Sequence, residues 1–187
     1  MKQLCKMKQE TLKRTLYRYL KNNYSNVTKT NSYIIAEGDI PICLVAHMDT
    51  VFKTCPEEIY YDENKKVMWS PQGLGADDRA GIYAIVKIIE DGYRPSIIFT
   101  ADEEKGGLGA RALVKDYPEC PFLNLKAMIE LDRQGKNDCV FYDCDNKDFT
   151  TYIESFGFES DWGSFSDISF IAPDWGVAAV NLSVGYF

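Results

Sequence analysis

Between Leu44 and Asp132 the chain carries four groups of residues suited to holding a divalent cation and activating water. "LVAHMDTV" supplies His47 and Asp49, "GLGADDRAG" supplies Asp77 and Asp78, "FTADEEKGGLGA" supplies Glu103 and Glu104, and "IELDRQG" supplies Asp132. His47 is the only histidine in the sequence. Each group stands at or just past the end of an apolar run that reads as a strand. In open α/β sheets, ligands bind in the crevice outside the carboxyl ends of the strands. Four such ends bearing acids and one imidazole point to a metal-dependent hydrolase.

Taken singly, each group has a plainer alternative. His47 and Asp49 are spaced so that both side chains leave the same face of an extended strand. A metal-binding imidazole needs its other ring nitrogen held by an acceptor, and Asp49 fills that role if the chain turns after Met48. The alternative is a lone histidine packed beside an unrelated turn aspartate. Asp77 and Asp78 precede a helical stretch, where a carboxylate can cap the helix and meet its positive end. One acid suffices for that, which leaves the other free to face the crevice. Asp102, Glu103 and Glu104 directly follow an apolar strand and repel one another unless solvated or neutralised by cations. Adjacent glutamates can divide labour, one binding metal and the other taking a proton from water. Asp132 ends the "KAMIELD" run. Glu130 has the same facing by strand parity, so spacing does not choose between them, although Asp132 is nearer the tip.

These residues need a frame. Residues 2–21 read as one amphipathic helix, with Leu12, Leu16, Tyr19 and Leu20 on one side and basic residues on the other. "SYIIAEG" and "PICLVAHMD" read as strands, separated by a turn at Gly38-Asp39. The second is continuously apolar, as strands buried on both faces are. "EEIYYDENKKVMWS" reads as a hairpin turning near Asn64. A helix starts at Asp77 or Asp78, runs to Asp91, buries Ile82, Ile85, Val86 and Ile89, and stops at Gly92. "PSIIFTADEE" is strand then loop, "GLGARALVKDY" a helix, "KAMIELD" and "CVFYDC" strands, "KDFTTYIESFG" and "SDISFIA" helices, and "GVAAVNLSV" a last strand. Strands alternating with helices imply an α/β protein, a three-layer α/β/α sandwich around a mostly parallel mixed sheet.

A chain of 187 residues fits a single catalytic domain, 1–187, with a proper core. A net charge of −7 argues against nucleic acid as a partner, which wants a basic face. Clustered carboxylates awaiting cations account for part of that acidity. Residues 1–20 are charged throughout, unlike a signal peptide, and no apolar run approaches the roughly 18 residues of a membrane span. The six cysteines form no CxxC pair, which favours reduced thiols and a cytoplasmic setting.

With the motifs in place, the chain resembles the co-catalytic di-zinc exopeptidases, the superfamily of peptidase T-like tripeptidases, zinc aminopeptidases and related deacylases. "HMDTV", "GADDRAGI", "TADEEKGGLGA" and "ELDR" look like its first four motifs in order, and "GSFSDIS" with "VNLSVGYF" resembles the approach to its last. The resemblance covers about residues 40–187. It implies that His47 and Asp132 bind one metal, that Asp77 bridges two, and that Glu104 binds the second. It further implies Asp49 as the partner of His47, Glu103 as general base, and Asp78 as a helix-start residue. The superfamily has another histidine ligand a few residues past a segment like "NLSVGY", whereas this sequence stops at Phe187. Two Zn2+ are thus expected for the family and one for this chain. Too few residues separate Arg133 from Gly163 for the lid domain that many relatives insert. The implied activity is an aminopeptidase or di/tripeptidase acting on short peptides, with room for a homo-oligomer. The alternatives are an inactive or truncated relative serving as a binding module, and an N-acyl amino acid deacylase.

Overall fold

The computed structural model describes residues 1–187. In chain order the elements are α1 (Lys2–Cys5), α2 (Gln9–Asn23), β1 (Val27–Lys29), β2 (Tyr33–Ala36), β3 (Ile40–His47), β4 (Tyr60–Asp62) and β5 (Val67–Trp69). They continue as α3 (Ala76–Glu90), β6 (Pro95–Thr100), α4 (Leu108–Asp116), β7 (Ala127–Arg133), β8 (Asp138–Val140), α5 (Lys147–Glu154), β9 (Glu159–Ser160), α6 (Asp167–Trp175) and β10 (Ala178–Ser183). A single 3-10 turn, Glu103–Lys105, lies between β6 and α4.

The main sheet runs β1-β2-β6-β3-β7-β10-β8-β9, and β4 pairs with β5 as a separate hairpin. The centre is parallel: β3 lies between β6 and β7, and β10 pairs with β7. Antiparallel pairs flank it, β1 with β2, β2 with β6, and β10 with β8. The sheet is therefore mixed with a parallel core, the α/β architecture the sequence implies.

Period-two alternation divides the core into two layers. Ile34, Ala36, Leu44, Ala46, Ile97 and Phe99 face one side, where Leu12, Leu16 and Leu20 of α2 and Ile82, Ile85 and Ile89 of α3 cover them. Tyr33, Ile35, Cys43, Val45 and Ile98 face the other, against α4 and α6. Fully burying one such isoleucine or leucine contributes about 1.5–3 kcal/mol. The parallel strands, covered on both faces, explain the unbroken apolar run before His47.

Two expectations differ from the structure. The first helix is broken into α1 and α2 at Lys6–Lys8, where Lys8 is extended. The break frees the Met7 carbonyl to accept from the buried Arg79 guanidinium at 3.3 Å, a charge that must be hydrogen-bonded to be tolerated inside. "CVFYDC" pairs only as far as Val140, because Tyr142 and Asp143 turn the backbone at φ 52° and 57°. The short strands β1 and β9 went unforeseen. The cysteines are free thiols, and no helix is long and apolar enough to cross a membrane.

Candidate metal centre

Three adjacent parallel strands carry the site. The ladder sets His47, at the tip of β3, opposite Thr100 at the tip of β6. It sets Val45 opposite Glu130 of β7, which places Asp132 one pleat further toward the same edge. Beyond Thr100 the chain bends through Asp102, at φ 58°, into the turn that bears Glu103 and Glu104. Asp77 comes from the loop that opens α3 and is joined to Asp78 by a cis peptide bond.

The side chains meet around the imidazole of His47, which is fully buried. Its Nδ1 lies 3.2 Å from Asp49 Oδ1. Its Nε2 lies 2.9 Å from Asp77 Oδ1 and 3.3 Å from Asp132 Oδ1. Two sets of potential ligand atoms lie within 4.8 Å of one another: His47, Glu103 and Asp132 in one, His47, Asp77 and Glu104 in the other. Asp49 is anchored further, accepting the backbone N–H of Glu103 at 3.0 Å and of Glu104 at 3.2 Å. All six residues singled out from the sequence, His47, Asp49, Asp77, Glu103, Glu104 and Asp132, thus converge on one crevice.

Asp78 faces elsewhere. Its carboxylate is buried, accepting from Gly81 N–H at 2.8 Å and from His47 N–H at 3.3 Å. It caps the regular part of α3, which begins only after the non-helical pair Asp77 and Asp78, and ties that cap to the end of β3.

So many buried acids cannot all ionise unaided. Burial first, then neighbouring carboxylates, push Glu103 up to about 7 and Glu104 upward as well. Asp132 is pushed up to about 8 by burial, with His47 pulling against it and Asp77 adding to it. Burial would lower His47, but Asp132, Asp49 and Asp77 outweigh it and hold the imidazole well above its ordinary value. Burial likewise opposes Asp49 and Asp77, yet contact with His47 keeps both below the usual carboxylate range. Two buried oxygens, Glu104 Oε1 and Asp132 Oδ1, accept no hydrogen bond. A buried carboxylate oxygen without a donor is costly. A divalent cation among these acids would satisfy the oxygens and offset the repulsion. The donor set therefore fits a metal.

Several supporting residues escaped the sequence reading. Arg79, almost wholly buried, donates to the carbonyl of Met48 and to that of Asp49 at 3.3 Å, fixing the turn after His47. Glu130 is buried beneath the crevice and accepts from Ser166 Oγ and from the N–H groups of Asp167 and Ile168 at 3.2 and 3.3 Å. It seats the start of α6 on β7. Thr100 Oγ1 donates to Asp167, and Asn181 Oδ1 accepts the Asp132 N–H at 3.0 Å. Tyr186 Oη lies 3.2 Å from Asp77 Oδ2 and donates toward it. Strand parity with Asp132 was the one available signal for Glu130, and the Ser166-x-x-Ser169 capping box the one for the start of α6.

The fold is an α/β sandwich with a parallel-centred sheet, and an imidazole and carboxylates are gathered at its strand tips. Residues 26–160 match the model of Peptidase family M28, and the chain belongs to that family. Among solved structures it is similar to a tripeptidase from Staphylococcus aureus subsp. aureus Mu50, at 20% identity and a TM-score of 0.60, over 75% of this chain and 44% of that one. It is similar to PhTET1-12s, a dodecamer in its asymmetric unit, at 15% identity and a TM-score of 0.59, over 100% and 90% of the two chains. It is also similar to an aminopeptidase from the archaeon Desulfurococcus kamchatkensis, at 13% identity and a TM-score of 0.60, over 94% and 81%. The chain spans 44% of the length of the tripeptidase it matches. A search of curated protein sequences gives no match.

Proposed function

We propose that the chain is a zinc-dependent exopeptidase, an aminopeptidase or di/tripeptidase that hydrolyses short peptides, with residues 1–187 acting as one catalytic unit. The observation that carries this reading is the pair of potential ligand sets that share His47, one with Glu103 and Asp132 and the other with Asp77 and Glu104. His47, Asp77, Glu104 and Asp132 would hold the cation. A nitrogen with several carboxylate oxygens suits zinc, and cobalt or manganese as well. When bound, the cation would polarise the scissile carbonyl and make water a stronger acid.

The remaining roles belong to the protein. Glu103, kept near neutrality by burial, is matched to taking a proton from water and returning it to the leaving amine. Asp49 holds His47 at Nδ1, which leaves Nε2 free to bind metal, and grips both glutamates by their backbone. The dodecameric state of PhTET1-12s makes a homo-oligomer part of this proposal.

The test is hydrolysis of a short-peptide series by metal-stripped protein before and after zinc is restored. Turnover that appears only with the metal supports the proposal. Equal turnover in chelator and in zinc would overturn it.

A further inference from the structure

A cavity of about 700 Å³ opens from the metal centre at Asp49 and Glu104 and runs out under the N-terminal segment. That size suits a small ligand, for which pockets of about 300–1,000 Å³ are usual. One wall is the stretch from Met7 to Glu10, and the facing wall the loop from Val51 to Pro56. The first wall lies outside the part of the chain that matches the family model, which starts at residue 26.

The polar groups lining this cavity are unequally engaged. Three of its four acids are occupied. Asp49 is held by His47 and two backbone N–H groups, Glu10 pairs with Lys13 at 2.7 Å, Asp102 pairs with Lys105 at 2.8 Å, and Glu104 faces the metal centre. Arg79 is spent on the carbonyls that fix the turn after His47. Lys8 and Lys53 remain as cations with neither an ion pair nor a side-chain hydrogen bond. Gln9 is turned away from the open space. Its Nε2 donates to Asp102 at 3.3 Å, while its Oε1 is buried without a donor.

We infer that this cavity is a subsite for the carboxylate-bearing end of a short peptide, with Lys8 and Lys53 holding the terminal carboxylate. The inference rests on the proposed peptidase reading for which bond is cut, but not for what binds. It deepens that reading by naming the substrate class: peptides of two or three residues with a free C-terminus. An amino group at the other end then lies toward the acids of the metal centre. Larger chains carry their terminal carboxylate past Lys8 and Lys53, and peptides whose C-terminus is blocked lack that charge.

The test measures binding, using the Glu103→Gln protein with zinc so that the peptide survives. Calorimetric titration compares a tripeptide acid with the same tripeptide as its C-terminal amide. The acid should bind at least about tenfold more tightly, a difference of roughly 1.4 kcal/mol. The Lys8→Gln/Lys53→Gln double variant should lose that preference. Both lysines are exposed, so the variant is expected to fold, and far-ultraviolet circular dichroism would check it. Equal binding of acid and amide, a preference that survives the double variant, or no binding of either peptide would overturn the inference. A preference for the acid in a protein that hydrolyses nothing would leave the subsite standing and remove the peptidase reading.

Discussion

His47 and Asp49 leave the end of β3 on the same side, and Asp49 Oδ1 lies 3.2 Å from Nδ1 of the imidazole. The same carboxylate receives the backbone N–H of Glu103 and of Glu104. One aspartate therefore sets the ring orientation of the central ligand and the position of the two glutamates beyond β6. Asp49→Asn should leave the fold intact while lowering zinc affinity or turnover by roughly 10–100-fold. Paired zinc titration and kinetics check this, and full activity would reduce Asp49 to a turn residue.

Glu103 and Glu104 are neighbours with different surroundings: Glu103 is buried and lies with His47 and Asp132, while Glu104 is less buried and lies with His47 and Asp77. Glu103→Gln should retain zinc and lose about 10²–10⁴-fold in turnover, the usual worth of a general base. Glu104→Gln should lose zinc first. Metal content and rate measured on the same preparations separate the two outcomes.

The buried charges give a pH dependence with a definite sign. In metal-free protein Asp132 and Glu130 are pushed up to about 8 and Asp167 to about 7, with burial the leading cause in each. His47 is also raised, its acidic neighbours outweighing burial. All four bind protons more tightly folded than unfolded. Their stabilisation is full below the unfolded pKa values and is lost as pH climbs through the folded ones. Asp49 and Asp77, held below the usual range, act only in more acid solution. Chelated protein should accordingly lose stability from about pH 5 to about pH 8, and zinc should restore more at the upper end, since ligands must shed protons to bind it. Thermal melts with chelator and with zinc across that range decide the matter. A rise in chelated stability toward pH 8 would contradict it.

Gly81 packs where no side chain fits. A Cβ there would meet the Leu131 carbonyl at 2.1 Å and Asp78 Oδ1 at 2.5 Å. Gly81→Ala should therefore push α3 off β7 and cost about 1–3 kcal/mol, at roughly 2–4 °C of melting temperature per kcal/mol for a domain of this size. Because Asp78 also receives the His47 N–H, the variant should bind zinc less tightly too. An unchanged melting temperature would remove the packing argument.

The ligands were legible in the sequence because each hangs at the end of a strand whose apolar run is plain, and parallel strands deliver their ends to one edge. The choice between Asp77 and Asp78 required the loop geometry that sends one acid to the imidazole and the other to the helix start. Arg79 was invisible, since its acceptors are carbonyls, and carbonyls carry no side-chain signature. By strand parity Glu130 reads only as a rival to Asp132. Its partners, Ser166 and Asp167, lie 36 and 37 residues away, a distance that only the order β7-β10 and the crossover through α6 close. The break at Lys6–Lys8 was hidden because its cause, the buried Arg79, lies in another element.

The wall formed by Met7 to Glu10 reaches the metal centre from a segment that contributes none of its ligands. Arg79 binds the Met7 carbonyl and the carbonyls after His47 with one guanidinium, so wall and centre are held in register by a single clasp. Under the proposed subsite, Lys8 sits on a stretch of chain apart from the ligands, whereas Lys53 lies between Asp49 and Asp77. If that subsite holds, sequence drift before residue 25 would retune which peptide is accepted without touching the ligands, provided the Met7 carbonyl keeps its place, which asks nothing of the side chain there.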